Sequence, residues 1–261
     1  MRNPVATPVD VKLMNMAMTA LLMVFAGLCA LSAVRMVSRS HAFDIQGITV
    51  AGDTRHNSSV TLRANVAPRI AGTFFTVDLA RVRAAFESAP WVRRAVVHRD
   101  FPNRLRVLLQ EHQPVALWGG DGVTRLVNSF GEVFEANVGE VDQDGLPTLT
   151  GPDGQSAEVW NMYRAVQPLF SERDMAIEQV ELSGRGSWSI RLEAGAEIEL
   201  GRGDTAEVTA RVNRFLKTLT QVVSRYGRQA SAIESADLRH ENGYAIRLRG
   251  VSTTQADVAK K

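Results

Sequence analysis

The chain has 261 residues, 45% hydrophobic and 22% charged, with a formal net charge of +2. That is ordinary globular composition, and its interspersed charges exclude a general nucleic-acid binder, which concentrates positive charge on one face. The one Cys, Cys29, lies in the apolar N-terminal run, so the rest of the chain has no internal disulfide, Cys-based metal site or thiol nucleophile.

Leu13 to Val34 is a stretch of 22 residues without a charged side chain, bounded by Lys12 and Arg35. As a helix it would reach roughly 33 Å, enough to cross a hydrocarbon core of about 30 Å. It is longer than the apolar core of a secretory signal, Leu31-Ser32-Ala33 is a poor cleavage site, and Leu28 before Cys29 does not suit lipid attachment. An uncleaved span is therefore expected, with residues 1–12 as a short tail and 35–42 as a linker. Arg2 and Lys12 before it balance Arg35 and Arg39 after it, so charge alone leaves the orientation open. About 220 residues follow, enough for one large or two modest domains.

Phe43 to Gly52 is β-branched and closes on Gly-Asp, which predicts a strand. Ser58 or Ser59 is placed to cap a short helix through Val66. After the break at Gly72-Thr73, Asp78 is placed to cap a second helix, with Leu79, Val82, Phe86 and Ala89 on one face and Pro90 as its stop. Trp91 to Arg99 alternates weakly, Phe101-Pro102-Asn103 is a turn, and Arg104 to Gln110 has the period of 2 of a half-exposed strand. The unit 43–118 thus predicts a three-stranded sheet with two helices on one face.

These elements resemble a POTRA domain, the polypeptide-transport-associated module. The resemblance rests on Ile45-x-x-Ile48-x-Val50-x-Gly52, on Pro90-Trp91-Val92-x-x-Ala95-x-Val97 followed by Phe101-Pro102-Asn103-x-Leu105, and on Glu111-x-x-Pro114-Val115-Ala116.

A second unit, 119–250, begins after Gly119-Gly120-Asp121-Gly122. Leu126 to Glu135 predicts two strands around a Gly turn, and Val138 to Gly154 a loop. Ser156 is placed to cap a helix with Val159, Trp160, Tyr163, Val166, Leu169 and Phe170 on its apolar face. Strands are expected at Ile177–Leu182, Ser187–Leu192 and Glu197–Leu200. Asp204-Thr205-Ala206-Glu207 has capping-box spacing before a helix with one continuous stripe of Val208, Val212, Phe215, Leu216, Leu219, Val222, Val223 and Tyr226. A strand from Ile233 to His240, an Asn242-Gly243 turn and a last strand at Tyr244–Leu248 complete the unit. The tail 251–261 is expected to be disordered. The fold class is α+β: a single N-terminal transmembrane helix, a POTRA-like β-α-α-β-β domain, then a mainly antiparallel β domain with flanking helices.

Signals for an active site are weak. The five His residues (41, 56, 98, 112 and 240) have no His or Cys partner at metal-ligand spacing, and no Gly-x-Ser-x-Gly, Walker or Ser-x-x-Lys motif is present. Glu140-x-Asp142-x-Asp144-Gly145 begins like a calcium loop, but Gly151 stands where the bidentate Glu would be needed. Gly201-Arg202-Gly203-Asp204 reads as a plain strand-to-helix turn. No catalytic residue, cofactor or metal site is assigned.

The whole order, with Val127-Asn128-x-x-Gly131-x-Val133-Phe134, Glu199-Leu200-Gly201-Arg202-Gly203-Asp204 and Asp237-Leu238-Arg239, resembles the FtsQ/DivIB family of bacterial cell-division proteins. The resemblance implies a non-enzymatic scaffold of the inner membrane at the division septum, with a cytoplasmic tail and both domains periplasmic. It implies direct binding of FtsB, which comes with FtsL, and contact with other divisome proteins such as FtsK, FtsW and FtsI. If Tyr244–Leu248 ends the sheet, its free edge could accept an added strand. The family adds FtsB beside this last strand, which makes Arg239, His240, Tyr244, Ala245, Ile246, Arg247 and Leu248 the expected partner-binding residues. Arg185 belongs with them, because family positions pairing with acids of the partner fall on Arg185 and Arg239. Rival readings are a membrane-anchored POTRA-type chaperone for exported chains and a periplasmic cell-wall enzyme.

Overall fold

The computed structural model describes residues 9–38, 40–58, 62, 64, 66–120, 125–142, 145–240 and 243–251. The chain divides into two units between Glu111 and His112. The division read from sequence at 118/119 is corrected to this point, because Pro114–Trp118 pairs within the second sheet rather than closing the first.

In the first unit, helix α1 (Val9–Ser38) is apolar on every side and exposes its side chains, Leu21 at 73% and Phe25 at 64%. A helix apolar all round is either core or membrane span, and no protein core surrounds this one. Strand β1 is shorter than expected, Gly47–Gly52. Leu62, Ala64 and Val66 are helical; the positions proposed as this helix's cap include Ser59, which is outside the described residues.

Helix α2 (Leu79–Glu87) starts where expected. The Asp78 carboxylate accepts from the backbone N–H of Ala80 and Arg81, satisfying donors that the helix itself cannot. Strands β2 (Val92–Asp100) and β3 (Arg104–Glu111) are antiparallel, joined through a turn whose Phe101-Pro102 peptide is cis. β1 lies parallel to β3, so the order is β1-β3-β2. Val82 and Phe86 of α2 pack on Ala95, Leu105, Val107 and Leu109.

Glu111, at the end of β3, is buried and closes this unit. It accepts from the backbone N–H of Arg55, His56 and Asn57, and from the Asn57 amide at 3.0 Å. Burial pushes its carboxyl up, but the hydrogen bonds from His56 and Asn57 outweigh that and hold it below the ordinary value.

The second unit is a nine-stranded sheet with helices packed on one face. Its strands are β4 (Pro114–Trp118), β5 (Arg125–Asn128), β6 (Val133–Phe134), β7 (Thr148–Thr150), β8 (Ile177–Leu182), β9 (Ser187–Leu192), β10 (Glu197–Arg202), β11 (Ile233–Asp237) and β12 (Ala245–Leu248). The order is β12-β11-β10-β9-β8-β7-β4-β5-β6, and five of the eight pairings among the described residues are antiparallel. β7 lies within the stretch expected to be loop. Its centre, Leu149, is fully buried.

Helix α3 (Ser156–Ser171) buries Val159, Met162, Val166 and Phe170. Trp160 and Tyr163 are half-buried and stack on each other. Ser156 is not its cap: the preceding Gln155 holds that place without a side-chain bond, and the Ser156 hydroxyl donates to Gly131 O at 2.7 Å. Helix α4 (Thr205–Arg225) follows the expected stripe, burying Val208, Val212, Phe215, Leu216, Leu219 and Val223. Asp204 caps it through the Glu207 N–H. Tyr226, at the stripe's end, is exposed.

Candidate functional site

β12 occupies one end of the nine-stranded sheet and pairs only with β11 among the described residues. The N–H and C=O groups on the outer side of an antiparallel edge strand have no ladder partner, which makes such a strand a template for another. Alternation holds this one in place. Leu248 is buried and Ile246 is half-buried against the core, while Ala245 and Arg247 are exposed.

Tyr244, just ahead of β12, ties it to α4. Its ring meets Phe215 edge-on at 4.9 Å, and its hydroxyl lies 2.8 Å from the Thr218 hydroxyl. Arg247 pairs with Glu234 at 3.4 Å on the exposed side, a contact worth at most about 1 kcal/mol. Asn242 of the expected hairpin turn falls outside the described residues, as do residues 252–261 of the tail.

Arg239 lies two residues past the end of β11, not within the strand as expected. Leu238 extends the pairing by one bond to Glu199 O and is buried. The guanidinium of Arg239 then turns back on Asp237, with Nε donating at 2.9 Å and Nη2 at 2.5 Å. The Arg239 side-chain bond holds the Asp237 carboxyl down at about 2, and Asp237 in turn raises Arg239. The fork uses Nε and Nη2 and leaves Nη1 without a partner among the described residues. His240, next along, is exposed.

Arg185 is exposed on the turn between β8 and β9. Gly186, at φ 75°, provides the left-handed residue that this tight connection requires, and its N–H donates to Ser183 O. Arg185 and Arg239 are far apart in sequence but line one open hollow of about 530 Å³ with Arg202 and Arg211. Arg211 reaches back from α4 and donates to the carbonyls of Leu200 and Arg202. Gly201, at φ 80°, makes this convergence possible: a Cβ there would come within 2.6 Å of Arg211 Nη1 and 2.9 Å of Arg239 Cγ.

Arg202 and Arg211 are the members that sequence reasoning missed. Arg202 carried a signal, its position between two glycines at a strand end. Arg211 carried none, since it is one of several charged residues on a helix. Four guanidinium groups around one hollow are suited to binding carboxylates. Among the described residues no group of three or more His, Cys, Asp or Glu side chains is placed to hold a metal ion.

A POTRA unit followed by a sheet of this kind, behind one apolar helix, defines a class of membrane-anchored bacterial division protein, and the comparisons with known proteins agree. The family model described as POTRA domain, FtsQ-type, matches residues 43–112, and that described as Cell division protein FtsQ/DivIB, C-terminal, matches 116–239. Cell division protein FtsQ of Thiomonas arsenitoxydans is 40% identical over 250 residues, covering 95% of this chain and 91% of that protein. The FtsQ of Burkholderia pseudomallei is 39% identical, covering 97% and 99%, and that of Bordetella pertussis 33%, covering 96% of each. The chain belongs to the FtsQ/DivIB family of cell-division proteins.

Proposed function

We propose that this protein is a non-catalytic scaffold of the division septum that captures a partner segment as an additional strand beside β12. The partner is FtsB, carried with FtsL, and acidic residues flanking its added strand pair with Arg239 and Arg185. FtsK, FtsW and FtsI are further membrane proteins of the same assembly in this reading. The N-terminus is cytoplasmic and both units are periplasmic. Tethering by α1 confines edge and partner to one thin layer, which raises their effective concentration for each other.

One observation carries the reading. Among the described residues the last strand is an open sheet edge, and Arg239 stands two residues beyond the Asp237–Ala245 pair with which the β11–β12 ladder ends. Strand addition draws its affinity from backbone hydrogen bonds, and the flanking arginines provide a means of selecting acidic chains.

A proline scan across Ala245–Leu248 in the full-length chain tests it. An added four-residue strand makes a handful of backbone bonds at about 1 kcal/mol each, so blocking one outward N–H should weaken FtsB capture by roughly fivefold. Thermal unfolding of each variant separates loss of the edge from loss of the fold. Unchanged capture by a folded variant at every position would rule out strand addition.

A further inference from the structure

The end of α1 is joined to the first unit by direct contacts as well as by a linker. The Ser38 carbonyl accepts from the Thr73 hydroxyl at 2.5 Å, and Phe74 N–H donates to Phe43 O at 2.7 Å. Around this junction the rings of four phenylalanines gather. Phe43 meets Phe75 edge-on at 4.9 Å, Phe75 meets Phe74 at 5.3 Å, and Phe74 meets Phe101 at 6.0 Å. Arg99 fixes the turn that carries two of them, donating to Phe74 O and Val77 O.

Phe74 is buried, but Phe75 is 50% exposed and Phe101 75% exposed. Beyond α1 they are the exposed aromatic residues of the first unit among the described residues, whereas Phe86 and Trp91 are buried. Burial within this domain accounts for the latter two but not for Phe75 and Phe101.

Position indicates what covers them. The apolar run ends at Val34, and Ser38 is four residues on, about 6 Å along a helix. Headgroup layers add about 5–7 Å on each side of the hydrocarbon core. The rings are therefore attached to the helix where that layer ends, a level at which aromatic side chains concentrate. Arg35 in the last turn of α1 and the exposed Arg104 beside the 101–103 turn supply cations for lipid phosphates.

We propose that Phe75 and Phe101, backed by Phe43 and Phe74, form a collar that docks into the interface of the bilayer spanned by α1. The collar fixes the POTRA unit against the membrane surface instead of leaving it to swing on a linker. The inference rests on α1 being a span, and the test separates the two.

The full-length chain is placed in nanodiscs of phosphatidylethanolamine and phosphatidylglycerol carrying a diazirine near the acyl carbonyl, illuminated, and mapped by peptide mass spectrometry. Adducts are expected on α1 and also on the peptides holding Phe75 and Phe101. Adducts on α1 alone overturn the collar and leave the span standing; none on either overturns both. As a second measurement, F75C and F101C in a C29S background carry nitroxide labels at these exposed positions. The ratio of oxygen to nickel-chelate collisions should rise several-fold over that of a label in water, and a ratio equal to that in water overturns the proposal.

Discussion

The two ends of the nine-stranded sheet solve the same problem differently. Every open sheet has two edges, and each invites unwanted pairing. At one end β6 is only two residues long, and its Phe134 stacks on His112 at 4.1 Å. An edge that short offers too few backbone groups to hold a partner strand. At the other end β12 has four residues, a buried anchor in Leu248, a tie to α4 through Tyr244, and a basic hollow beyond the end of its ladder. One edge is limited by its brevity, while the other presents a longer run of backbone groups.

The largest effect should come from unseating β12. Leu248→Ala removes a buried side chain and should cost about 2–5 kcal/mol, read as a lower unfolding midpoint in denaturant. Capture of FtsB should fall with it, since the edge depends on the anchor. Next is the hollow. The double variant R185A/R239A should lower stability only by the loss of the exposed Asp237 contact and weaken capture roughly ten- to a hundredfold, with the remaining affinity less sensitive to salt. If the double variant binds as the parent does, the two edges differ only in length and the arginines are ordinary surface.

The Asp237–Arg239 fork gives a smaller, pH-dependent effect. Its folded carboxyl lies at about 2, below the ordinary value near 3.9. The contact therefore contributes stability that is fully present above pH 4 and is lost as pH falls through about 2. NMR titration should find the Asp237 midpoint near 2, rising toward about 3.9 in Arg239→Ala. Between pH 5 and 7 this pair should not change stability at all. The smallest effect is expected at the short edge. Glu135→Lys, on an exposed residue directly after β6, should change stability by less than about 0.5 kcal/mol and leave capture untouched. A loss of capture there would show that both edges take part.

Much of the fold was legible because it rests on local periodicity. The stripe of α4, the Asp78 and Asp204 caps, and strands β8 and β9 all follow from spacing within a single element. Errors arose where an element has too few residues to show a period. β7 has three residues between Pro147 and Gly151, within a stretch that the sequence predicts to be loop. Pro114–Trp118, expected to lie within the first unit, is strand β4 of the second sheet, because local sequence does not report which strands become neighbours. Ser156 has the residue type of a cap, yet its hydroxyl goes to Gly131, a partner 25 residues away.

The site divides in the same way. The alternation of Tyr244 to Leu248 already told which side chains face the core, since a strand's two faces are a property of the chain itself. Family resemblance pointed to Arg185 and Arg239, but nothing local tied one to the other. Their meeting in one hollow, with Arg202 and Arg211, depends on β8, β9 and β10 lying side by side and on α4 folding back across Gly201. The edge position of β12 likewise depends on the pairing order of all nine strands. Sequence alone determined the longer elements and their buried faces, because propensity and periodicity act over a few residues. Only the tertiary structure decided which edge stays open and which charges converge, because those follow from long-range pairing.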